Sequence, residues 1–184
     1  MIQTGLSELE FKSWASENGW SIPRHIQWSF VPPMKLPRVS EAAKDAIRVW
    51  PASTARTGAQ REALFRGRVE LRDGCFFVGQ SGQPANKLAW FHTEVGLDID
   101  REGYLILRDR VSGEALTRLG ESMNWGGPAS ADVGEQTRKA LLEACGGHEI
   151  YIVGAPESDA RFLNRFPHLR NGHAPPPPPP SRTR

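Results

Sequence analysis

The sequence predicts an α+β fold in which a small antiparallel β-barrel, at about residues 65–128, sits between a helical N-terminal segment and a C-terminal helix–strand–helix. Three observations carry that expectation. Between Arg68 and Gly127, short apolar runs are separated at close intervals by Asp73-Gly74, Gly79–Gln83, Glu102-Gly103 and Ser112-Gly113, the rhythm that several short antiparallel strands require. Ahead of it, Leu9, Phe11 and Trp14, then Ala43, Ile47 and Trp50, recur near helical spacing. Beyond Gly126-Gly127-Pro128 the helical period returns with Val133, Ala140, Leu141 and Ala144.

Each element has a local justification. Ser7-Glu8-Leu9-Glu10 fits a capping box for a helix over Glu8–Glu17, and Gly19 is a stop. Trp20-Ser21-Ile22-Pro23 breaks regular structure, and Pro32, Pro33 and Pro37 make Gln27–Arg38 an extended connector. Ser40 is placed to cap a second helix, Glu41–Trp50, ended by Pro51, and a third weak helical piece covers Gly58–Phe65. Strands follow at Arg68–Arg72, Cys75–Val78, Lys87–His92, Leu97–Ile99 and Tyr104–Arg108. Asp73-Gly74 is the strongest turn signal, because a type I′ hairpin needs positive φ at both central residues. After Ser112-Gly113 the alternation weakens, and Glu121–Trp125 closes the set. Ser130 or Asp132 is expected to cap a helix through Val133–Ala144. His148–Val153 reads as a strand, and Ser158 caps a last helix, Asp159–Phe166. The expected organisation is therefore 1–64, 65–128, 129–168, and a disordered proline-rich tail at 169–184. Its six consecutive prolines, Pro175–Pro180, favour an exposed polyproline II arm.

Composition excludes some functions. Hydrophobic residues are 39% and charged residues 24% of the chain, enough apolar material for a real core. The net charge is only +2, and Arg182 and Arg184 lie in the tail, so the body exerts no general pull on nucleic acid or anionic membrane. No run of about 18 apolar residues is present, so no transmembrane helix is expected. Met1–Glu10 does not read as a secretory signal. Cys75 and Cys145 belong to no C-x-x-C pair and are expected as two buried thiols in the cytoplasm.

The strings Gly67–Leu71, Asp73–Val78, Leu88–Phe91 and Gly103–Leu107, with Glu149–Gly154 and Ser158–Phe162, together resemble a loose group of bacterial proteins without an established activity. The resemblance spans Gly67–Phe162 and implies a small OB-like β-barrel. It transfers no functional residue. Leu119-Gly120-Glu121 followed by Ser122-Met123-Asn124 departs from that group's closing strand.

Four chemistries are open on the residues themselves. Asp98, Asp100 and Glu102 alternate, Gly103 follows, and Asp109 stands at the twelfth place, the order of a calcium loop. The flanking Leu97, Ile99, Leu105 and Leu107 alternate as strands, which argues instead for a hairpin with an acidic face. Cys75 with His92 as base would give a nucleophile, although Cys75 opens an apolar run that reads as core. His92, Glu94, Asp98 and Asp100 could converge for acid–base or metal work. A nucleic-acid groove would draw on Trp90, Phe91, Tyr104 and Trp125 with Arg66, Arg68, Arg72, Arg108 and Arg110. Trp90 and Phe91 are adjacent and point to opposite faces, so at least one is core. Trp14 and Trp50 are expected to be buried, whereas Trp20 and Trp28 are open between burial and a partner patch. The proline run suits an aromatic groove of another protein but has no basic anchor at both ends.

The reading that results is a non-catalytic binding or assembly module with no cofactor and an unidentified protein partner. Its candidate ligand residues are Trp90, His92, Tyr104, Arg108 and Trp125. The alternatives are single-stranded nucleic acid on an OB-like barrel, or an enzyme or divalent-metal (calcium) site at His92, Glu94, Asp98, Asp100, Glu102 and Asp109.

Overall fold

The computed structural model describes residues 8–21, 33–53, 64–126 and 133–171. Within them lie helix α1 (Glu8–Glu17), strands β1 (Leu64–Arg72), β2 (Cys75–Gln80), β3 (Lys87–Phe91), β4 (Val95–Ile99), β5 (Leu105–Asp109), β6 (Ala115–Arg118) and β7 (Ser122–Gly126), then α2 (Glu135–Cys145), β8 (Ile150–Val153), β9 (Pro156–Ser158) and α3 (Asp159–Arg165). Short 3₁₀ turns occupy Glu41–Ala46 and Pro167–Asn171. The fold is mixed α+β.

The strands form two sheets, one of six in the order β8-β3-β2-β1-β7-β9 and one of three in the order β4-β5-β6. No closed barrel is found among the described residues; the strands of 64–126 are divided between these two sheets. The outer edge of β3 is taken by β8 in a parallel ladder, Leu88↔Ile150 through Phe91↔Val153, and β4 pairs with β5. The C-terminal segment thus supplies both edge strands of the large sheet, β8 on one side and β9, through Met123↔Ser158 to Trp125↔Pro156, on the other.

Local chemistry explains most elements. Asp73 has φ 49° and Gly74 φ 75°, as a type I′ turn demands, and β1 and β2 register directly across it, Arg72↔Cys75. Gly67 lies in the middle of β1 because a Cβ there would come 2.1 Å from the Gly79 carbonyl and 2.8 Å from Trp125 Cη2. The Ser158 hydroxyl caps α3 by accepting from Arg161 N–H. The second helix departs from expectation. It is a 3₁₀ turn ending at Ala46, Ser40 gives no side-chain cap, and Ile47 is already extended. Here the backbone serves the sheets: Ser40 N–H donates to the Leu97 carbonyl and Arg48 N–H to that of Gly74. The helical piece expected over Gly58–Phe65 gives way at its end, where Leu64 and Phe65 already pair as β1, and Leu169–Asn171, expected in the tail, belong to the last 3₁₀ turn. Ser7, Trp28, Ser130, Asp132, the rest of that piece and the six prolines lie outside the described residues.

Two cores result. The larger is shared by both sheets, with Val69, Phe76, Phe91, Leu97, Leu107 and Trp125 fully buried. The smaller lies on the opposite face of β3, where Leu88 and Trp90 pack against Leu141 of α2. Trp90 and Phe91 therefore point to opposite faces and both are core. A disulfide between Cys75 and Cys145, separated by 70 residues, pins the C-terminus of α2 to the start of β2. The two free thiols expected from the sequence are thus replaced by a cross-link.

Candidate functional site

The acidic β4–β5 hairpin holds most of the residues from which chemistry is expected. In the β4–β5 turn, Asp100 Oδ1 accepts the N–H groups of Glu102 and Tyr104, each at 2.9 Å. Its Oδ2 accepts from Arg118 Nε at 2.8 Å, and Arg118 Nη2 donates to Glu102 at 2.7 Å. The same guanidinium lies 4.4 Å above the Tyr104 ring. Asp98 pairs with Arg108 at 2.7 Å, diagonally across the β4–β5 ladder. Asp109 Oδ1 accepts from Val111 and Ser112 N–H, both at 2.7 Å, closing the next turn. The carboxylates of the proposed calcium loop thus answer turn amides and arginines. Among the described residues no group of three His, Cys, Asp or Glu side chains could hold a metal ion.

The electrostatics agree. Partial burial opposes ionisation of Asp98, but hydrogen bonding and the Arg108 charge outweigh it, so its pKa lies below the ordinary carboxylate value. Desolvation is likewise the largest influence on Asp100. It is outweighed by the two turn amides and Arg118, and its pKa is also lowered. These acids stay ionised, which unfits them as proton donors near neutrality.

Of the expected ligand residues, Trp90 and Trp125 are only 2% and 1% exposed and serve the two cores. Arg108 is held by Asp98. Tyr104 remains outside at 55% exposure, beneath Arg118. The nucleic-acid arginines are engaged as well. Arg66 binds Asp159, Arg68 binds Glu70, Arg72 reaches the Ala85 carbonyl, and Arg110 holds the carbonyls of Leu36 and Thr93. Cys75 is not the free nucleophile expected beside His92, since its sulfur is bonded to Cys145.

His92 is 7% exposed. Burial lowers its pKa, with the Glu94 charge pulling weakly the other way. Because the folded-state value lies below the unfolded one, the unfolded chain binds more protons below about pH 6.5. Stability is therefore expected to be flat above that pH and to fall toward pH 5.5, by at most about 1.4 kcal/mol per pH unit. Urea midpoints at pH 7.5 and 5.5 measure this, and the difference should shrink in His92→Gln.

One exposed feature was not among the expected site residues. Trp14 and Trp20 are 40% and 56% exposed and meet edge-to-face with ring centroids 5.3 Å apart. Trp14 is thus not buried as the sequence suggested. The helix buries Phe11 and Ala15 instead and leaves Leu9 in solvent. The pair is built by the helix end. Trp20 N–H donates to the Ala15 carbonyl at 2.7 Å and Gly19 N–H to that of Ser16 at 3.2 Å, with Gly19 at φ +70°. This is a Schellman ending, whose usual companion is an apolar contact between the residue after the glycine and the preceding turn. The signal was in the sequence: a tryptophan directly after the stop glycine, six residues beyond another. A second unforeseen group joins β1, β7 and α3, where buried Asn124 donates to Asp159 at 2.7 Å and Arg66 binds the other oxygen. It fastens α3 to the sheet.

No described helix is long and apolar enough to cross a membrane. Comparison of the chain with protein-family models, with curated proteins and with solved structures finds no match.

Proposed function

We propose that this protein is a non-catalytic binding module and that the Trp14–Trp20 edge of α1 is its contact surface for a peptide segment of a partner. One observation carries the reading. Of the described tryptophans, Trp50 stacks on Phe91 at 5.0 Å and Trp90 and Trp125 are core, whereas Trp14 and Trp20 are held in a fixed pair facing solvent. Paired exposed aromatics of this kind are what interfaces use as anchors, because they offer large area for little lost side-chain entropy.

Catalysis has less support, because the acids of the hairpin pair with Arg108 and Arg118 and the thiol is oxidised. Single-stranded nucleic acid on an OB-like surface would have Tyr104 to stack on. Around it Asp98, Asp100 and Glu102 balance Arg101, Arg108 and Arg118, so no positive stripe follows the backbone. The Cys75–Cys145 bridge also favours an oxidising compartment over the cytoplasm.

Tryptophan emission tests the reading. Titration with proline-rich, acidic and basic peptides should give a saturable shift with at least one class, lost in Trp20→Ala while the Tm of that exposed-site variant changes little. A response only to single-stranded oligonucleotides, unaffected by Trp20→Ala, would reject it.

A further inference from the structure

We infer that the Cys75–Cys145 bridge is a redox latch: reducing it releases helix α2 and uncovers the apolar face of β3 and β8, while the rest of the fold stays in place. Little else keeps α2 in position. Of its 11 residues only Leu141 is buried. Isolated helices shorter than about 12–15 residues are marginal in water, and this one has weak ends. Its N-cap, Gly134, makes no side-chain hydrogen bond, and its last turn carries no basic residue. Among the described residues, Leu141 packs on Leu88 and Trp90, with Leu142 and Cys145 half-buried beside it. Arg48 Nη1 donates to the Ala144 carbonyl at 3.1 Å, an exposed hydrogen bond. After reduction the Cys75 thiol adds only a weak S–H donor, 3.7 Å from the same carbonyl.

A hinge lies directly behind the helix. Gly146 stands at φ +88°, and a Cβ on Gly147 would have no heavy atom within 4 Å. Bending in this pair lets α2 swing away without pulling on β8, whose ladder with β3 starts at Ile150. The face left behind holds Leu88 and Trp90, both buried with α2 in place, flanked by Phe77, Ile150 and Ile152. The oxidised chain thus hides a contiguous apolar patch that the reduced chain presents to solvent.

Access favours attack at one sulfur. Cys75 is buried in β2, whereas Cys145 is only half-buried at the helix end. A dithiol reductant supplies the electrons. Its thiolate bonds to the Cys145 sulfur, the S–S bond breaks, and Cys75 leaves as a thiolate that takes up a proton. The reductant's second thiolate then attacks the reductant sulfur of that mixed disulfide and displaces Cys145, which is protonated in turn. Two electrons and two protons pass to the bridge, and the dithiol ends as a disulfide.

The test compares the full-length chain before and after treatment with dithiothreitol, and takes the double variant Cys75→Ala, Cys145→Ala as the permanently open form. Hydrogen exchange read by mass spectrometry should place the α2 amides within about tenfold of free-peptide rates in the reduced chain and in the double variant, with β1 and β2 still protected. Tryptophan emission should shift to the red on reduction and return on reoxidation, and Trp90→Phe should remove that shift. In the double variant dithiothreitol should change neither signal. A native chain whose bridge resists the dithiol overturns the latch, and so does an α2 that stays as protected as β2 after reduction. Loss of protection throughout β1, β2 and β3 overturns it as well, because reduction would then unfold the protein instead of opening one face.

Discussion

Opening the Cys75–Cys145 bridge is expected to destabilise the protein by about 4 kcal/mol, the largest loss from any single covalent change short of disrupting the main core. The bridge closes a loop of 70 residues. Chain-entropy arguments give about 3 kcal/mol for a 15-residue loop and about 4.7 for 100. For a chain of this size that corresponds to a fall in Tm of roughly 8–16 °C. The native structure contributes to the outcome as well. Cys145 ends α2, which presents Leu141 to Leu88 and Trp90, so an untied α2 can separate from the β3–β8 face. Urea unfolding of Cys75→Ala, Cys145→Ala and the double variant measures the effect. The three losses should nearly coincide, because each removes the same constraint. Losses under 1 kcal/mol would mean that α2 is held by packing alone.

Trp125→Ala should cost about 3–5 kcal/mol, the usual range for deleting a fully buried large aromatic side chain. Trp125 is 1% exposed, stacks on Phe65 at 6.4 Å and meets Tyr151 edge-on. It also fills the space that Gly67 leaves across the β1–β7 ladder. Collapse around the missing ring is limited, because β1 is held by hydrogen bonds on both sides. Trp125→Phe should cost distinctly less. It keeps most of the apolar volume and removes an indole N–H that is buried without an acceptor. Chemical denaturation of both variants checks this, and a large loss for alanine with a small one for phenylalanine identifies the residue as core. A Trp125→Ala protein of unchanged stability would return it to the list of ligand contacts.

The hairpins were legible where one residue type has a single physical use. Asp73-Gly74 announced its turn because few residues tolerate positive φ, and the continuous run Cys75–Val78 announced burial on both faces, which the two cores provide. Strand β6 was hidden because Ala115-Leu116-Thr117-Arg118 is short and weakly patterned. Strand β9 was hidden because it begins with a proline and is only three residues long. Parallel pairing of β8 with β3 leaves no local trace at all, since the partners are far apart in the chain and any apolar strand could fill that edge. The disulfide was unreadable for a related reason: two cysteines without a framework say nothing about proximity. Among the site candidates, spacing alone could not tell oxygen ligands from turn caps. Asp100 and Asp109 show why, because an aspartate that accepts two backbone amides and one that coordinates a cation occupy the same kind of loop.

Strands β8 and β9 also govern how the protein can be made. Both flanks of the large sheet are completed by residues 150–158, which leave the ribosome only after everything they border. Until then the nascent β1–β3 and β7 ladder exposes bare backbone on either side, the state most prone to mispairing with a neighbouring chain. Maturation should therefore be slow to commit and sensitive to holding factors that shield those flanks during translation.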